Sequence, residues 1–484
     1  MREIETNGPI VRNSVPAVAG QPGLAGRSRF AHHARAFPIG PFLALLAVMA
    51  LPVEVLADPA AHPAPTRHYQ VYVGSAFFED RMVSRAAWPE TAAHVDGFYN
   101  HPVGWRSLTA AQKRQLLANF AHKTVIQEGD LSMPVAQTAG ERDTIFPEVT
   151  AGGMPTGILF ENEVKPNKPQ DKVDAVTLAA DQAEWDGFCR DTQAKTKAST
   201  YFMTAAFQTD GEIYNRPLTW DSPVWDYART DILAPACGGA GLDSPVDNYL
   251  LGPPARRQAV WDMTRWTQRQ GKTFIYVASP GDPNANNNGT QFIQHLQQNV
   301  ASLEDNDAEP DIYAVESYIP TGPDTVPERN VDGSAASTIT GGAYYLLKHR
   351  DGEPGTLHLS ATAGEGAAVL SHSVSGGRAY HEIVMLTNSS PWLDYAPVLK
   401  AAVRGGASAW DVKFLVGGTD VTPQVFGAGY LFYRSQRLNP KTSQRVEIVL
   451  TPKRSGVVPP LRLTLQASPH SGSAGSAVLD VRHT

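Results

Sequence analysis

Apolar and polar positions along this chain fall into a rhythm between about residues 68 and 318. Eight short apolar runs occur there, at 68–77, 94–100, 123–130, 157–163, 200–207, 230–234, 272–279 and 311–318. Each is rich in Val, Ile, Leu, Phe or Tyr, and several close on a polar or acidic residue. Between them lie stretches with helical spacing. In 108–122, Thr109 is an N-cap candidate ahead of Leu116, Leu117 and Phe120; 173–196 carries Val176, Leu178, Trp185 and Phe188. Segment 256–270 carries Val260, Met263 and Trp266 and stops at Gly271, while 291–303 and, more faintly, 138–151 follow the same pattern. Strands alternating with helices imply parallel pairing, because a crossover must return the chain to the same end of the sheet. Eight such units in about 250 residues predict a (β/α)8 barrel, which places chemistry at the carboxyl ends of its strands.

After a last helical segment at 341–350 the pattern changes. Short β-type runs at 357–361, 382–387, 411–416, 429–433, 444–450, 461–465 and 477–481 are separated by turn signals and no helices. That predicts a C-terminal antiparallel β-sandwich. The expected organisation is a signal peptide over 1–57, a Pro/Ala linker over 58–67, a barrel domain over 68–350 and a β-sandwich over 351–484.

The amino terminus reads as an export signal: Arg27, Arg29 and Arg35 precede the apolar stretch 42–51, and Val55-Leu56-Ala57 has the small-residue spacing of a cleavage site. A secreted or periplasmic protein without a stable membrane span after cleavage is expected. Without residues 1–57 the chain keeps 36 basic and 45 acidic residues, a net of −9. Such a surface suits neither a nucleic-acid backbone nor an anionic membrane, so a neutral or cationic partner is expected. Only two cysteines, Cys189 and Cys237, are present. They would form one disulfide in an oxidising compartment or remain two small apolar residues; the spacing leaves both open, and it makes no zinc site.

Acids at strand ends are the candidate chemistry. In the fourth run, Gly157-Ile158-Leu159-Phe160-Glu161-Asn162-Glu163, alternation places Leu159, Glu161 and Glu163 on one face, which a barrel would turn to its lumen. The third run ends at Glu128 and Asp130, and the eighth carries Glu316 ahead of Ser317 and Tyr318. Carboxylates gathered on one rim repel each other, and they persist where a substrate or a tuned proton uses them. Their plain alternative is an ion pair with a neighbouring strand. Cleaving a glycosidic bond needs this equipment: one carboxyl to protonate the leaving oxygen and a second as nucleophile or base. Trp105 and Trp220, in loops after the second and fifth strands, are candidate platforms for sugar rings, with Tyr318 beside them.

The phrase Phe160-Glu161-Asn162-Glu163 resembles the Asn-Glu ending of strand four in the large clan of retaining TIM-barrel glycoside hydrolases. The resemblance implies Glu163 as acid/base and an acidic nucleophile near Glu316. The clan's nucleophile ends strand seven, however, whereas Glu316 closes the eighth run; either one run too many is counted, with 230–234 the weakest, or the chain diverges from the clan. The expected function is an exported glycoside hydrolase acting without a cofactor or metal. Glu163 and Glu316 are its catalytic pair, and Glu128, Asp130, Glu161, Asn162, Trp105, Trp220 and Tyr318 are its substrate contacts. Two other classes stay open: a non-catalytic carbohydrate-binding or cell-envelope protein, and a hydrolase with a metal held by Glu128, Asp130 and Glu163.

Overall fold

A computed structural model describes residues 69–75, 93–100, 105–106, 108–121, 123–128, 135–151, 156–161, 174–204, 220, 226–252, 254–279, 289–317, 339–361, 369–370, 378–433, 436–455, 457–469 and 477–483. The export signal expected over 1–57 and the linker over 58–67 lie outside these residues.

The architecture is mixed α/β, a parallel barrel sheet followed by two antiparallel-rich sheets. Eight strands pair in parallel in chain order: β1 Gln70–Ser75, β2 Gly97–Asn100, β3 Thr124–Gln127, β4 Thr156–Glu161, β5 Ser199–Thr204, β6 Gly239–Pro245, β7 Thr273–Ser279 and β8 Ile312–Ser317. Pairing of β8 with β1, in register from Gln70 opposite Ile312 to Ser75 opposite Ser317, closes the sheet. Helices α1 Ala110–Asn119, α2 Val135–Ala151, α3 Ala175–Thr196, α4 Asp226–Ile232, α5 Val246–Leu251, α6 Pro254–Arg269, α7 Gly289–Glu304 and α8 Ile339–Asp351 are interspersed with the strands from β2 onward, α5 and α6 both between β6 and β7. The Thr109 cap is a reciprocal capping box: its backbone N–H donates to Gln112 Oε1 at 2.8 Å, and its Oγ1 accepts from the Gln112 N–H at 3.3 Å.

Strand alternation divides the barrel core in two. Tyr72, Tyr99, Ile126, Tyr201, Met203, Ile275, Val277, Ile312 and Ala314 fill the lumen. The intervening residues, among them Val71, Val73, Phe98, Phe202, Leu242, Tyr276 and Val315, pack outward with Leu116, Met263, Leu296 and Leu346 of the helices.

The sixth strand is corrected. The run at 230–234 belongs to the end of α4 and the turn after it, and the strand is Gly239-Ala240-Gly241-Leu242-Asp243-Ser244-Pro245. A five-residue apolar run does not distinguish a strand from a helix end. The first residue of the true strand is glycine for a steric reason: a Cβ on Gly239 would lie 1.9 Å from the Thr273 carbonyl oxygen. The count of eight strands stands, and Glu316 lies on the eighth.

Beyond α8, one sheet runs in the order β10-β18-β17-β12-β15 and the other β14-β13-β16-β11-β9. The first comprises β10 Val369–Leu370, β12 Val398–Gly405, β15 Tyr430–Leu431, β17 Leu461–Ser468 and β18 Ala477–His483. The second comprises β9 Leu357–Ala361, β11 Tyr380–Asn388, β13 Trp410–Val416, β14 Thr419–Asp420 and β16 Ser443–Pro452. Strand β12 matches none of the short β-type runs in the sequence, because Lys400-Ala401-Ala402-Val403-Arg404 lacks β-branched alternation. Alternate residues of both sheets (Val384, Phe414 and Ile448 of one; Leu399, Leu463 and Leu465 of the other) share one buried cluster.

Cys189 of α3 and Cys237, just before β6, are joined by a disulfide. The alternative left open by spacing is thereby closed.

Candidate active site at the carboxyl end of the barrel

Four polar side chains lie where alternation predicts lumen-facing positions near the carboxyl ends. Tyr99 is in the lumen cluster itself. Asp243 follows Gly241 by two residues on β6, Glu316 follows Ala314 by two on β8, and Glu128 follows Ile126 by two at the end of β3. All four are buried, with Glu316 only 1% exposed. The backbone N–H of Glu128 donates to Asn100 O at 2.9 Å, which extends the β2–β3 ladder by one residue and fixes where this carboxylate leaves the sheet.

The four groups sense each other. Burial lifts the Tyr99 phenol well above its ordinary range, and the charges of Glu128, Glu316 and Asp243 add to the shift in that order. Burial likewise raises the Glu316 carboxyl well above the usual carboxylate range, with the negative charge of Asp243 second. A carboxyl removed from water beside another acid keeps its proton, since its ionised form has lost solvation and gained repulsion. Glu316 Oε1 has no hydrogen-bond partner among the described residues, and neither has the buried Oγ of Ser279 on the adjacent β7.

Gly74 of β1 sits between two of these groups, in register with Tyr99 on one side and Glu316 on the other. A Cβ at Gly74 would lie 2.1 Å from the Tyr99 carbonyl oxygen and 2.8 Å from its Cβ. Only glycine permits this approach, because Tyr99 already occupies the space that a side chain at Gly74 would take.

The sequence-predicted residues divide into three groups. Glu128 and Glu316 are brought to the same buried site. Asp130, Asn162, Glu163 and Tyr318 lie outside the described residues. Glu161 closes β4 in register with Phe202 of β5, and its side chain is likewise outside the description. The two tryptophans are packed in the core. Trp105 donates from Nε1 to Glu148 at 2.8 Å under the ammonium of Lys113, and Trp220 packs edge-to-face on Trp266. Both indoles are at most 5% exposed, which leaves little ring surface for a sugar. Asp243 and Tyr99 were missed as site residues. Asp243 belongs to the glycine-bearing strand whose composition reads as a turn, and a Tyr in a strand reads first as core.

Among the described residues, no group of three or more His, Cys, Asp or Glu side chains is arranged to hold a metal ion. No described helix is long and apolar enough to cross a membrane.

No family model matches the chain, and no curated protein does. Similar solved structures include a multi-modular cell-surface chitinase from Paenibacillus (9% identity, TM-score 0.35). The match covers 86% of this chain, and this chain spans about half, 56%, of that one. An endo-β-1,6-glucanase matches at 10% identity and TM-score 0.36, over 81% of this chain and 93% of its own. A 3-keto-L-gulonate-6-phosphate decarboxylase from Vibrio cholerae matches at 9% identity and TM-score 0.31, over 58% of this chain and 97% of its own. At such values the matches assign neither a family nor an activity.

Proposed function

We propose that this chain is an exported glycoside hydrolase on a (β/α)8 barrel with a β-sandwich behind it, cleaving a polysaccharide or oligosaccharide at the carboxyl end of the barrel. The observation that carries the reading is the burial of Glu316 in the lumen, beside Asp243 and within electrostatic reach of Tyr99, with one carboxyl oxygen unpartnered. Buried acids are costly, and a fold without a use for them replaces them with apolar residues. A carboxyl that holds its proton to higher pH than an exposed one does is the tool for protonating a departing sugar oxygen.

In this reading Glu163 and Glu316 are the catalytic pair, with Glu128, Asp130 and Glu161 serving substrate hydroxyls and Asp243 holding the proton on Glu316. The clan resemblance gives Glu163 the acid/base role and Glu316 the nucleophile's. The environment of Glu316 favours the reverse, because a nucleophile works ionised and this site opposes ionisation. Glu163→Gln and Glu316→Gln should each lower kcat by ~10² or more on a glycan that wild type cleaves, the scale of a lost acid/base group. An activated aryl glycoside, whose leaving group needs no proton, separates the roles: the variant lacking the acid regains turnover on it and the variant lacking the nucleophile does not. Near-normal turnover of unactivated glycan by Glu316→Gln would remove that residue from the mechanism. Glycan binding without product release, surviving both substitutions, would make the chain a binding protein instead.

Export is part of the proposal. The Cys189–Cys237 bond supports it, since such bonds persist in oxidising compartments. Mass spectrometry of the exported chain should find a mature amino terminus at Asp58; a full-length product retained in the cytosol would refute export.

A further inference from the structure

The lumen holds a second unpartnered oxygen that the two-carboxyl mechanism does not use. Ser279 is the last residue of β7, two beyond the lumen residue Val277, so its side chain takes the lumen face. The β7–β8 register pairs Ile275 with Ile312, Val277 with Ala314 and Ala278 with Val315. One step on, Ser279 and Glu316 stand side by side on neighbouring strands. Ser279 is 2% exposed, yet neither its Oγ nor Glu316 Oε1 bonds to the other or to anything else described. Buried hydroxyls and carboxyl oxygens are almost always paired, so two unsatisfied ones at adjacent positions mark a place kept for a third group.

We infer that Ser279 and Glu316 form a hydroxyl-binding cradle, in which one hydroxyl of a polyol or sugar is held between Ser279 Oγ and Glu316 Oε1. The Ser279 O–H donates to the ligand oxygen, and the ligand O–H donates to Glu316 Oε1. Both orphaned atoms are then satisfied by a group that is at once donor and acceptor, which a hydroxyl is and an ammonium or a carboxylate is not. The cradle rests on the hydrolase reading only for the identity of its natural ligand as a sugar. Ser279 is a positioning and specificity residue in that reading: it orients the hydroxyl against the carboxyl that handles the proton.

The test uses the full chain carrying glutamate labelled with 13C at the side-chain carboxyl, and glycerol as the probe. The Glu316 signal is identified by its loss in Glu316→Gln. It should move saturably with glycerol in wild type, and Ser279→Ala should weaken that titration about fivefold, the size of one neutral hydrogen bond. Ser279→Thr, which keeps the hydroxyl, should retain more of the binding than Ser279→Ala. Thermal unfolding of each variant establishes that it is folded. A Glu316 signal indifferent to glycerol overturns the cradle, as does a Ser279→Ala titration matching wild type. Cleavage is read separately. Glycerol binding that depends on Ser279 in a protein that cleaves no glycan leaves the cradle standing and removes the hydrolase reading. Glycan cleavage with a Ser279-independent glycerol response does the opposite.

Discussion

His349 Nε2 lies 2.7 Å from Glu304 Oε1, and both side chains are buried where α8 and α7 meet the β-sheet region. The other imidazole nitrogen, Nδ1, is 2.9 Å from the Asp394 carbonyl oxygen, so both ring nitrogens donate and the ring is a cation. Arg437 bonds to the second oxygen of Glu304 and, at 2.7 Å, to Asp305, while Tyr345 donates to Asp394 at 2.9 Å. Two helices of the barrel are thereby tied to residues 394 and 437 by a largely buried ionic cluster. Gln297 adds a bond to the Trp392 carbonyl at 2.8 Å.

This cluster makes stability pH-dependent. Burial alone would lower the His349 pKa, but Glu304 and Asp394 overcome it and raise it to about 9. A folded-state value above the ordinary one of 6.5 means that the contribution is complete below about pH 6.5 and is lost as pH rises through 9. The loss is on the order of 3 kcal/mol. Chemical denaturation at a series of pH values should show this fall, and His349→Gln should flatten it. A variant that keeps the same alkaline slope would place the titrating group elsewhere.

Breaking the cluster by one partner should cost more than removing its charge balance as a whole. Glu304→Gln leaves two buried cations facing one acid fewer, and a loss of about 3–5 kcal/mol is expected. Arg437→Met should cost less in the Glu304→Gln background than in wild type, because the acid it would leave unpaired is already gone. A double-mutant cycle in which the two losses simply add would show that the residues do not act on each other.

The disulfide fixes α3 to the segment before β6. Its half-cystines are 48 residues apart, and closing a loop of that size in the unfolded chain corresponds to roughly 4 kcal/mol. Reduction, or Cys189→Ala with Cys237→Ala, should lower the unfolding midpoint accordingly. An unchanged midpoint would mean that the bond does not constrain the unfolded chain.

Function and stability should trade against each other in the lumen. Ser279→Ala removes a buried hydroxyl without a partner, and a gain of about 1 kcal/mol is expected. Glu316→Gln removes an acid whose folded-state pKa is raised. That group favours the fold below its ordinary pKa and increasingly disfavours it as pH rises toward its folded value, so the variant should be more stable than wild type at neutral pH. Thermal unfolding at acidic and neutral pH checks both; loss of stability in either variant would mean that the side chain is structurally paired after all.

Gly74→Ala should be severe although only one methyl is added. The Cβ meets the Tyr99 backbone at 2.1 Å, so β1 and β2 must separate at the wall beside Glu316. A stability loss of about 1–3 kcal/mol is expected from overpacking, together with loss of any glycan turnover. Wild-type stability would show that the strands accommodate the methyl by a small shift.

What the sequence carried on its own was local. The apolar runs that become β7 and β8, the Thr109 cap, and the helical spacing of 173–196 follow from short-range geometry that each segment enforces by itself. The same rule found Glu128 and Glu316 as acids at strand ends. It failed at β6, where the strand is made of residues that resemble a turn until Thr273 is seen pressing on Gly239. Asp243 disappeared with that strand.

Tertiary structure decided the rest. Whether Cys189 meets Cys237, whether Trp105 offers its ring or buries it, and which acids share one lumen all depend on segments distant in the chain being brought into contact. The cluster of His349, Glu304, Asp394 and Arg437 had no trace in the linear pattern, because no local periodicity records which charges will find each other once water is excluded. Side-chain period and chain length set the elements; the mutual burial of residues far apart in sequence set the chemistry.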